Sequence, residues 1–165
     1  MKHSLSPIHQ QGYIYMISDV LSVDATVFMR FLFEVASMLE NDEDDELFHT
    51  LLVYTFDLFE RVNNVMGNNL LKMKDEFLIN KLLMLLLHIS GMHLHDDWPQ
   101  CGMLPKIAYM CNIKPIDIAC DEITVLQLLN YQFNIMPSKQ YNEYKTYVNN
   151  IKTDVNLWSQ LVQHQ

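Results

Sequence analysis

From Glu76 to His95 the chain is apolar on almost every side of a helix, and this stretch limits the possible folds more than any other. At 100° per residue, Lys81, His88 and His95 form one narrow polar stripe. Leu82, Leu83, Leu85, Leu86, Leu87 and Ile89 cover the remainder. A helix of this kind has to be enclosed by other helices. A bilayer span needs about 20 uninterrupted apolar residues, and here Lys81 and His88 bracket the run, so the expectation is the central helix of a bundle. Near its end Ser90 and Gly91 replace bulk with two small residues. That costs helix propensity unless a neighbouring backbone comes close.

The rest of the composition agrees with an all-α chain. Four glycines and five prolines in 165 residues leave little turn chemistry for a β-rich fold. The length suits one domain with a real core. A formal charge of −9 would repel nucleic acid and anionic membranes, so a partner with a basic face is the more natural one. Cys101, Cys111 and Cys120 are odd in number and lack metal-type pairing, which fits a reducing, intracellular compartment. The first ten residues hold no continuous apolar run that would mark the chain for export.

In order, residues 1–24 read as a polar lead with a short helix over 13–21. Asp24 is a good N-cap, and the first long helix is expected over 25–40. Its arc holds Val27, Phe28, Phe31, Leu32, Val35, Met38 and Leu39. Met29 and Phe33 lie off that arc, and either form an exposed docking patch or are covered by the N-terminal segment. The acidic run 41–46 reads as a solvated linker that also favours the start of the next helix. That helix is expected over 47–64, stopping before Gly67, which can take the left-handed conformation. Asp75 caps the central helix. Residues 96–102 read as a turn and 103–110 as a short helix. Pro115 opens a further helix that runs to about Tyr131. Ile116, Ile118, Ala119, Ile123, Val125, Leu126 and Leu129 form its apolar arc, and Glu122 falls inside it. A carboxylate there is costly unless it accepts strong hydrogen bonds, so it has an internal partner or waits for an external one. Helices over 139–150 and 155–162 complete the chain.

Few side chains suggest chemistry. His88, His93, His95, Asp96 and Asp97 cluster in sequence, but helical metal ligands need spacings of three or four, and His93 and His95 are two apart. Contact with the negative end of the helix dipole accounts for these histidines. A metal-dependent helical enzyme would rest on them alone. The chain has no glycine-rich phosphate loop, no Gly-x-Ser-x-Gly elbow and no Cys/His pair with an orienting third group. Tyr141, Tyr144 and Tyr147 read as packing. No catalytic residue, cofactor or metal is expected.

The order of elements resembles a cyclin box. Ile79 to Met84 followed by Ser90 to Asp96 is similar to the third-helix signature of the single-box cyclins, the group with the P/U-type and fungal phosphate-pathway cyclins. Cys111 to Lys114, Asp121-Glu122-Ile123, Leu126 and Leu129 to Ile135 resemble that group's fifth-helix run without a gap. Leu51 to Val62 stands in the place of its Tyr-Leu-Asp-Arg-Phe helix, and Met29-Arg30 where many cyclins carry Met-Arg. The likeness implies a five-helix box over 25–137 around the central helix, with an N-terminal lead over 1–24 and a helical extension over 138–165. It implies a subunit that binds a cyclin-dependent protein kinase and positions its regulatory helix, without catalytic groups of its own. Arg30 and Glu60 would form the internal salt bridge of the box. Glu122 would bind main-chain groups of the kinase, with Met92, Leu85 and His88 as groove wall and Leu129 beside them. Met92 stands where cyclins have a lysine, and Ala36 lies where a Trp normally completes the docking pocket. The alternative is a cyclin-fold or Bcl-2-like adaptor that holds a partner helix without activating a kinase.

Overall fold

An apolar-all-round helix is stable only when other helices enclose it, and Glu76–Leu94 is enclosed on several sides. The computed structural model describes residues 21–38, 45–94, 98 and 100–132. In chain order these form α1 (Thr26–Met38), α2 (Asp45–Val65), α3 (Asn69–Met73), α4 (Glu76–Leu94), α5 (Gln100–Cys111) and α6 (Pro115–Leu128), with no strand among them. The fold is all-α. Helix α4 packs against α1, α2, α5 and α6. By length and composition it is the one described helix that could cross a membrane, yet 67% of its most apolar window is buried within the bundle. The expected lead and short helix before Leu21, Asn41 to Asp44 of the acidic run, His95 to Asp97, the boundary at 137 and both C-terminal helices lie outside the described residues.

Helix starts follow the expected caps. The Asp24 side chain accepts from the Thr26 backbone N–H at 2.9 Å and from its hydroxyl. These bonds hold its carboxyl below the usual range. Asp75 accepts from Leu78 N–H at 3.1 Å, and Pro115 is the first residue of α6. Helix α1 has a second cap from a distant element. Asn80 of α4 accepts from Phe28 N–H at 2.9 Å and donates to the carbonyls of Asp24 and Glu76, each at 2.7 Å. Helix ends share one device. Gly67, Asn112 and Asn130 take left-handed backbone at φ 69, 56 and 55. In each case the next N–H reaches back five residues, as in Asn68 N–H to Asn63 O at 2.8 Å, which closes a Schellman cap.

Two expectations on α1 are corrected. Met29 is fully buried and Phe33 half-buried against the core, so together they are not an exposed patch. Ala25, Phe28, Met29, Phe31, Leu32 and Val35 all turn inward, a wider arc than the spacing suggested. Arg30 falls roughly 180° from the centre of that arc and is exposed. It forms no ion pair with Glu60. Glu34, one turn along, pairs instead with Lys106 of α5 at 2.7 Å.

Candidate partner-binding site at the crossing of α4 and α6

Helix α6 turns Ile118, Val125 and Leu129 into the core. Taking Ile118 as zero, 100° per residue puts Val125 at about −20°, Leu129 at about 20° and Glu122 at about 40°, at the edge of this buried face. Ile116 and Ile123 fall on the far side, 67% and 50% exposed, which corrects their expected place in the arc. The fold therefore buries most of a carboxylate, leaving the Glu122 side chain 19% exposed. Burial raises its pKa above the usual carboxylate value.

The polar stripe of α4 faces this acid. Lys81 meets Asp121 at 3.0 Å, and His88 Nε2 lies 3.2 Å from Glu122 Oε2. The two contacts leave α4 seven residues apart and reach neighbouring residues of α6, so the helices cross rather than run side by side. His88 is only 2% exposed, and burial holds its pKa down at about 4. It is a neutral imidazole in the core, not a cation at the helix end. Its Nδ1 accepts from the indole N–H of Trp98 at 3.0 Å.

Glu122 thus has an internal neighbour, which partly answers the question its sequence position raised. The contact is close but misaligned: Oε2 is buried without a formed hydrogen bond. Ser90 Oγ is the other such atom among the described residues. Met92, one turn beyond His88, is half-buried. Leu85 and Leu129 are core residues and supply no groove wall, because α4 is enclosed at position 85 and α6 anchors itself through 129.

Trp98 went unnoticed in the sequence because it sits in a stretch that reads as a turn. It is buried, and its ring occupies the space that a Cβ at Gly91 would need. The close approach expected at Ser90-Gly91 is made by an indole and not by a backbone. His93 is exposed and packs on Tyr54 of α2 with ring centroids 6.5 Å apart. No three His, Cys, Asp or Glu side chains converge among the described residues.

No family model, curated protein or solved structure matches the chain.

One cleft lies elsewhere, between the start of α1, the first half of α4 and the end of α5. It encloses about 260 Å³, with Val27, Phe77, Met84, Met110 and Cys111 along its apolar side. Glu122 does not line it. Burial pushes the Cys111 thiol up, so it is a poor nucleophile.

Proposed function

We propose that this chain is a cyclin-like regulatory subunit that binds a protein kinase and holds one of its helices at the crossing of α4 and α6. The observation that carries this reading is the buried Oε2 of Glu122, an acceptor at the edge of an apolar face with no formed hydrogen bond. Such an atom is costly to retain, and a main-chain N–H from a partner would satisfy it. Half-buried Met92, one turn beyond His88 on α4, offers apolar contact area. Activation would be positional: the bound helix is held where the kinase's own Lys–Glu pair is assembled for ATP. An intracellular location follows from such a partner.

A second reading, a helical adaptor that binds without activating, is favoured by Met92, which has no donor where the resembled family has a lysine, and by His88, which already occupies one side of Glu122. Capture of partners by the tagged full chain from an extract of its own cells, followed by a phosphorylation assay, separates the two. Co-purification of a kinase with raised activity supports the first reading. Capture without activation supports the second. Glu122→Gln is expected to weaken capture by roughly 10-fold to 100-fold, the value of a charge-assisted bond. Capture that is unchanged in this variant overturns the assignment of the site.

A further inference from the structure

An indole N–H donates and cannot accept. Trp98 Nε1 lies 3.0 Å from His88 Nδ1 with both side chains buried, so Nδ1 presents a lone pair. A neutral imidazole with a bare Nδ1 carries its hydrogen on Nε2. That is the atom 3.2 Å from Glu122 Oε2. The indole is itself seated by Gly91, since a side chain at that position would overlap Cδ2, Cε3 and Cζ3 of its ring. A chain of contacts therefore runs from the α4–α5 connection through α4 to the acid on α6.

We propose that Trp98 and His88 form a latch that fixes His88 in its Nε2–H tautomer and so sets an N–H, not a cation or a bare nitrogen, against Glu122 at the α4–α6 crossing. Both are positioning residues of the site, and their importance for binding rests on the reading of Glu122 given above. Without the indole N–H, Nδ1 is free to take a proton. The imidazole then pairs with Glu122 as a cation, or turns a bare Nε2 towards it. Either change alters the acceptor offered to a partner. The charged residue next to Glu122 is already committed: Asp121 of α6 is held by Lys81 of α4 at 3.0 Å. Burial favours the neutral form of both groups, holding the imidazole down at about 4 and pushing the Glu122 carboxyl up.

The test is two-bond ¹H–¹⁵N correlation of the histidine side chains in the full chain, with the Glu122 carboxyl carbon followed in parallel from about pH 8 to about pH 5, across the ordinary histidine range. His88 is expected to show a bare Nδ1 and a protonated Nε2 throughout. Trp98→Phe keeps a ring over Gly91 and loses the donor; it is expected to raise the proton affinity of His88 about tenfold or more, one pKa unit per factor of ten, and to shift the Glu122 carbon. A wild-type proton on Nδ1, or an unaltered titration in Trp98→Phe, overturns the latch. Should Trp98→Phe fail to fold, the wild-type tautomer alone decides. No partner enters this experiment, so a latch with no kinase captured removes only the functional reading, and a captured kinase without the latch removes only this one.

Discussion

An asparagine on α4 adds a second cap to α1, and a glycine on the same helix makes room for an indole. Asn80 satisfies the Phe28 N–H and the Asp24 carbonyl, both close to the start of α1. Asn80→Ala leaves them unpartnered, and the expected loss is about 2–6 kcal/mol, from about 1–3 for each unsatisfied buried group. Urea denaturation measures it, and a loss below about 0.5 kcal/mol, the scale of a surface change, counts against the cap. At Gly91 the argument is steric. Gly91→Ala puts a methyl into the Trp98 ring, and the expected cost of overpacking is about 1–3 kcal/mol. Trp98 emission should move to longer wavelength as the indole is displaced. An unchanged spectrum and stability would show that the ring has another seat.

Helices α4 and α6 meet through two polar contacts of different kinds. Lys81 and Asp121 are both partly exposed, so their pairing is screened by water. A double-mutant cycle with Lys81→Ala and Asp121→Ala is expected to give a coupling below about 1 kcal/mol that falls further in high salt. A larger, salt-independent coupling would mean that the rung is structurally dominant. The caps at Asp24, Asp75 and Pro115 were legible in the sequence because each acts within a few residues. Helix α3 was not, since five residues between left-handed Asn68 and Lys74 give too short a period to detect. The start of α5 was also missed, because Pro99 and Gly102 make 96–102 read as a turn, whereas the helix begins at Gln100.

For the whole molecule, the buried titratable groups set opposing dependences on pH. The folded pKa of His88, held down by burial at about 4, lies below the ordinary histidine value of 6.5. The fold therefore favours the neutral ring, and its contribution is complete above 6.5 and is lost as pH falls towards 4. Over that window the loss is roughly 3 kcal/mol, at 1.36 kcal/mol per unit. Glu122 and Asp57 are both raised by burial, so their protonated forms suit the fold, and acid relieves their penalty. His88→Gln removes the first effect and leaves the second. Its stability is expected to stay level or rise between pH 6.5 and 4 while that of the wild type declines less favourably. Superimposable stability profiles for the two proteins would show that His88 is not the titrating group.

The order of hydrophobic and polar residues alone determined an all-α chain, a central helix that must be enclosed, most of the caps, and a carboxylate placed on an apolar arc, because each follows from contacts within a turn or two. Only the tertiary structure decided which groups oppose one another. It turned Met29 inward, aimed the stripe of Lys81 and His88 at Asp121 and Glu122, and brought Trp98 from an apparent turn onto Gly91. Helical periodicity defines the faces of one helix, but the partner of a face depends on how helices cross, and that is set by packing between residues far apart in the chain.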